Sequence, residues 1–147
     1  MENRSFYNEI LTEHNLHPEF KHELPDADIV LEGVNPSCGD DIWLKLKTEN
    51  GRIVDGAFIG DGCAISQASA DIMLGMVIGK ERDEAPRLGR TFLRMIQGEA
   101  TEDEIESLEE ASALRDIAYM PARVKCAVLG WRTLAQALGA DWTSENG

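Results

Sequence analysis

The chain has few cysteines, few histidines, little aromatic content and a deficit of positive charge. Three cysteines among 147 residues form an odd, widely spaced set. That argues against a disulfide framework and leaves metal or redox chemistry as the use of the thiols. Fourteen Lys and Arg stand against 27 Asp and Glu, for a formal net charge of −13. Such a balance repels phosphate backbones and anionic lipid heads, so nucleic acid and membrane surfaces are excluded as partners, and a basic protein surface is left. Apolar runs are broken by Gly, Asp or Lys well short of the roughly 20 residues that span a bilayer. The opening "MENRSFYNEI" lacks the apolar core of a secretory signal, so the expected address is cytoplasmic. Linkers and internal repeats are also missing. A single domain over 1-147 is expected, long enough to bury a core without covalent staples.

The order of elements is readable from periodicity. "SFYNEILTEHNLHPEF" suits an opening helix capped by Ser5, with Phe6, Ile10 and Leu11 at helical spacing and Pro18 as its end. His14, His17 and His22 read as solvated polar residues around that helix end. Ile29-Val30-Leu31 begins a first strand. Ile42, Leu44 and Leu46 alternate with Trp43, Lys45 and Lys47, the period of a half-buried strand. Asn50-Gly51 supplies a type I′ turn, and residues 52–59 return as a third strand. From Cys63 the period becomes helical, with Ile65, Ala68, Ile72 and Met76 on one face and Gly79 as a stop. Residues 83–97 form another helix that buries Leu88, Phe92, Met95 and Ile96. "GEATEDEIESLEE", with seven acids, reads as a solvated helix face. A last helix starts at Pro121, with Val124, Val128, Trp131, Ala135 and Leu138 in register. Helix, meander, helices is an α+β order, with helices packed on one face of a small antiparallel three-stranded sheet.

All three cysteines fall near element boundaries. Cys38 lies in the loop "NPSCGD", Cys63 follows "GDG" at a helix start, and Cys126 lies in the first turns of the last helix. Helix N-termini favour thiolate over thiol, and Arg123 and Lys125 add positive charge beside Cys126. Asp40 works against a bare thiolate at Cys38, because a carboxylate disfavours a second negative charge nearby. A divalent cation removes the conflict by making Asp40 a ligand. Cys38, Asp40, Cys63 and Cys126 then offer three sulfurs and one oxygen, a set that suits tetrahedral zinc. Their summed charge with Zn²⁺ is −2, which Arg123 and Lys125 would help to offset. The alternative stays open: lone cysteines are often small buried hydrophobes, and gaps of 24 and 62 residues match no short zinc-finger pattern. Asp41, Asp55 and Asp61 read as turn residues. "GDGC" after a strand lacks the third glycine and the βαβ setting of a dinucleotide site.

"NPSCGD", "GDGCAISQASA" and "MPARVKCAVLGW" resemble, in order, the three cysteine motifs of the U-type (IscU/NifU-like) iron–sulfur cluster assembly family, and the resemblance runs from "FYNEIL" to the last helix. The closer resemblance is to the SufU branch. Lys125 stands where IscU-type members carry His, "MPARVK" replaces their "LPPVK", and a helical insertion around 82-110 separates the second and third cysteines. The resemblance implies zinc on Cys38, Asp40, Cys63 and Cys126, and a SufS-type cysteine desulfurase as partner. It further implies that the desulfurase takes over a zinc coordination position, so that Cys38 is freed to accept persulfide sulfur for downstream iron–sulfur assembly machinery. The protein would then act as a zinc-dependent sulfurtransferase. The competing implication is a scaffold that holds iron or a transient 2Fe-2S cluster on the same ligands. A structural-zinc interaction module without sulfur chemistry is the third.

Overall fold

The computed structural model describes residues 9–37 and 39–140. Helix α1 (Glu9–Leu16) leads into a meander of β1 (Ile29–Asn35), β2 (Asp40–Glu49) and β3 (Arg52–Asp61). Helices α2 (Ala64–Val77), α3 (Glu84–Ile96) and α4 (Glu102–Ser107), a 3-10 helix (Glu109–Tyr119) and α5 (Pro121–Ala137) follow. The sheet is antiparallel in the order β1-β2-β3. The expected α+β architecture is the one observed.

Alternation decides which face of the sheet is covered. Ile42, Leu44 and Leu46 are fully buried, while Trp43 keeps 41% of its surface exposed on the other side. Asn50 and Gly51 both have positive φ, 55° and 78°, as a type I′ turn requires. The strands extend further than the apolar letters suggest. β1 runs on to Asn35 and pairs it with Asp40, the first residue of β2, which leaves residues 36–39 between the two strands. Asp41, Asp55 and Asp61, expected in turns, lie inside β2 and β3: the outward positions of a half-solvated sheet accept carboxylates.

Helix α2 is the centre of the molecule. It packs against α1, α5 and β3, and every residue from Ile65 to Val77 except Gly75 is buried. The expectation of a single buried face is therefore too narrow. It ends where Gly79 (φ 96°) turns the chain and donates its N–H to Ile53 O at 2.6 Å. Phe92 of α3 stacks on Trp131 of α5 with centroids 4.9 Å apart, closing the far side of the core. In α1 the buried anchor is Leu11, while Ile10 is 38% exposed. Ser5 and Phe6 lie outside the described residues. Within the acidic stretch, Ile105 and Leu108 are buried and Ala100 packs partly against the core. Thr101 and Glu104 close a capping box on α4, so the acids largely face water as expected.

His14 departs from its expected role. Its Nδ1 lies 2.6 Å from Asp71 Oδ2 and its Nε2 2.8 Å from Glu110 Oε1, which clips α1 to α2 and to the 3-10 helix. Asp71 is fully buried and also accepts the Phe20 N–H at 2.8 Å. Burial works to lower the imidazole pKa. The two carboxylate hydrogen bonds and charges outweigh it, and the pKa is raised above its ordinary value.

Candidate metal centre

Three chain segments meet at one end of the sheet. Asp40 opens β2, Cys63 is the N-cap of α2, and Cys126 lies in α5. One ligand atom from each falls within 4.8 Å of the others. Asp40 and Cys126 are fully buried, and Cys63 is half-buried. The convergence brings together residues 86 positions apart in the chain, from Asp40 to Cys126. Cys38 lies outside the described residues. Its neighbour Gly39, with φ 75°, takes a left-handed conformation that glycine adopts without strain.

The glycines around Cys63 explain the "GDG" signature without a nucleotide. Gly60, at φ 129°, could carry no side chain, because a Cβ there would stand 2.2 Å from Asp41 O. A Cβ on Gly62 would stand 2.4 Å from Ser66 Oγ and 2.8 Å from Asp40 Oδ1. Bare backbone at residue 62 is what lets the Asp40 carboxylate reach the start of α2. There its Oδ1 accepts the Cys63 N–H at 2.8 Å, satisfying one of the free donors of the helix end.

Asn35 holds the other side. Its Nδ2 donates to Asp40 Oδ2 at 3.2 Å and approaches Cys126 Sγ at 3.8 Å. Asn35 is 2% exposed, an amide built into the base of the site. Ser69 Oγ donates to Ala127 O at 2.6 Å and locks α2 to α5 next to Cys126. Cys126 is the sixth residue of α5, beyond the free N–H groups of the helix end. The helix-terminus placement expected for both cysteines is therefore found at Cys63 and not at Cys126. Arg123 is half-buried one turn before Cys126, and Lys125 is exposed.

These residues fit a divalent cation. Asp40 is wholly buried, and both of its hydrogen-bond donors are neutral. Among the described residues it has no cationic partner, and a buried carboxylate with none is costly. Two sulfurs and an oxygen facing one point are a donor set suited to zinc or iron. Asn35 and Gln67, which sequence reasoning left without roles, belong to this neighbourhood. Their only sequence signal is polarity where the local pattern calls for apolar residues.

The profile of the NifU-like N terminal domain matches residues 6–93. The iron-sulfur cluster assembly scaffold protein IscU of Thermotoga maritima is 40% identical over 135 residues, 92% of this chain and 94% of that protein. The zinc-dependent sulfurtransferase SufU of Bacillus subtilis is 35% identical over 137 residues, 93% of this chain and 92% of that protein. A crystal structure of a putative iron-sulfur cluster assembly scaffold protein for the SUF system from Fervidobacterium islandicum superposes with a TM-score of 0.84 at 36% identity, covering 90% of this chain and 96% of that one. With three segments folded onto one Asp–Cys–Cys cluster and relatives matched nearly end to end, the chain belongs to the NifU-like, U-type family of iron–sulfur cluster assembly proteins.

Proposed function

We propose that the protein is a zinc-dependent sulfur acceptor and carrier that takes persulfide sulfur from a SufS-type cysteine desulfurase in the cytoplasm. The observation that carries this reading is the convergence of Asp40, Cys63 and Cys126 within 4.8 Å, beside the link that holds Cys38. Cys38, Asp40, Cys63 and Cys126 would hold the ion. Zinc, when bound, supplies positive charge that keeps thiols ionised near neutral pH, without redox chemistry of its own. The chain forms one U-type domain over 1-147, and the helices between α2 and α5, around 82-110, are the insertion of the SufU branch. Arg123 and Lys125 offset the negative charge of the ligands.

The transfer itself is an exchange between sulfurs. The Cys38 thiolate attacks the outer sulfur of the partner's cysteine persulfide. A new S–S bond forms at Cys38, the partner's S–S bond breaks, and its cysteine leaves as thiolate. One sulfur changes owner with no external oxidant or reductant. Asn35 keeps Asp40 and Cys126 in place during the exchange, and the neutral N–H groups on Asp40 fix the carboxylate without neutralising it. The loaded sulfur then passes to downstream iron–sulfur assembly machinery.

The scaffold reading is favoured by the name of the Thermotoga maritima relative, and it would place iron or a 2Fe-2S cluster on the same four side chains. One experiment separates the two. The protein is purified anaerobically, its zinc and iron are measured, and it is mixed with its desulfurase and cysteine. Zinc with a one-sulfur mass increase on Cys38 is the expected result. Labile iron with visible charge-transfer bands and no persulfide would overturn it in favour of the scaffold. Zinc with neither signal reduces the protein to an interaction module.

A further inference from the structure

Gln67 is an anomaly at the start of α2. It lies four residues after Cys63, on the same helix face, and its N–H donates to Cys63 O at 3.1 Å. The residue is 6% exposed, and among the described residues neither its amide nitrogen nor its amide oxygen has a hydrogen-bond partner. A buried amide left this way is destabilising, and an apolar side chain of equal volume would serve a purely packing role better. The amide must therefore answer to something other than the core.

Its surroundings say what. The point where a Cβ on Gly62 would stand is 3.1 Å from Gln67 Nε2, 2.8 Å from Asp40 Oδ1 and 2.4 Å from Ser66 Oγ. Three polar groups thus edge the hollow left by one glycine. Ser66 Oγ already donates its one proton to Cys63 O at 3.1 Å. Asp40 Oδ1 accepts from the Cys63 N–H and retains capacity for a second donor. Of the three, the amide is the donor without an acceptor, and the carboxylate is the charged acceptor, which makes a stronger bond to it than a hydroxyl oxygen does.

We propose that Gln67 is a positioning residue of the metal centre, whose amide donates across the Gly62 hollow to the Asp40 carboxylate once that centre is loaded. Carboxylate ligands are held by outer hydrogen bonds of this kind, which fix their orientation. Asn35 serves Oδ2, and Gln67 serves Oδ1. The inference rests on Asp40 being a ligand, as the proposed function has it.

The test is zinc affinity of the full chain by competition with a chromophoric chelator, alongside urea unfolding of the metal-free protein. Gln67→Met keeps the volume and removes the amide; it should weaken zinc binding about tenfold or more, while metal-free stability stays equal or rises. Gln67→Glu keeps an oxygen, loses the donors and adds charge; it should bind zinc more weakly than Gln67→Met. Unchanged affinity in Gln67→Met, or a parallel fall in affinity and stability, overturns the proposal. Tighter binding in Gln67→Glu overturns the donor assignment. A wild-type chain that fails to bind zinc refutes the metal centre itself, whereas wild-type binding matched by Gln67→Met refutes only the role of Gln67.

Discussion

Adding one methyl group at Gly33 should loosen the metal centre from a distance. Gly33 lies on β1 opposite Ile42, on the same face as Asn35, and packs directly on α5. A Cβ there would stand 2.0 Å from Thr133 Oγ1, 3.1 Å from its Cβ and 3.3 Å from its Cγ2. Thr133 is 1% exposed and its hydroxyl is bonded to Leu129 O at 2.8 Å, so it cannot swing aside freely. Gly33→Ala must push α5 off the sheet, at a cost of about 1–3 kcal/mol. At roughly 3 °C per kcal/mol for a chain of this size, the middle of that range lowers Tm by roughly 6 °C. Thr133 is two turns beyond Cys126 on α5, so the shift also opens the approach of Asn35 Nδ2 to Cys126 Sγ, and zinc affinity should fall with stability. Thr133→Ala removes two of the three clashing atoms, at a cost of about 1 kcal/mol for its lost hydrogen bond. The double variant should therefore recover about 1–2 kcal/mol relative to the sum of the single changes. Urea unfolding in chelator and chelator competition for zinc measure both effects. Penalties that add to within about 0.5 kcal/mol would show that the β1–α5 approach is not the contact that sets the site.

His14 should make stability depend on pH. A histidine whose folded pKa is raised contributes stability that is fully present below its unfolded value, and that stability fades as pH climbs through the higher folded value. The advantage of wild type over His14→Gln, measured by urea unfolding, should be greatest below about pH 6 and shrink upward from there. A gap that widens with rising pH contradicts the assignment. Removing the metal offers another test: zinc at about one hundred times its Kd should add about 2.7 kcal/mol, or roughly 8 °C in Tm. Chelation should abolish that gain, and Cys126→Ser should show little of it.

The parts of this structure that sequence makes legible are those where local pattern and packing agree. The alternation from Ile42 to Lys47 places β2 face by face, and Asn50-Gly51 fixes the hairpin. Residues 83–97, read as a helix, emerge as Glu84–Ile96 with Asp83 and Gln97 as its caps. Pro121 marks the first residue of α5. Illegible features come from partners far apart in the chain. His14 finds Asp71 57 residues away and Glu110 96 residues away, and no spacing rule encodes such a clip. The 3-10 helix has no 3.6-residue period to betray it. Within the site, the conflict of charge around Asp40 pointed to a cation, but Asn35 and Gln67 carry no such conflict until the fold buries them.

The strand β2 is also a ruler. It starts at Asp40 in the site and ends at Glu49, beside the Asn50-Gly51 turn. Nine residue steps at about 3.3 Å put that turn about 30 Å from the cluster. A fluorophore, affinity handle or surface anchor attached at the turn would leave the Asp40–Cys63–Cys126 end open. The molecule can thus be immobilised by one pole while partners are offered to the other, and the kinetics of docking recorded apart from the chemistry.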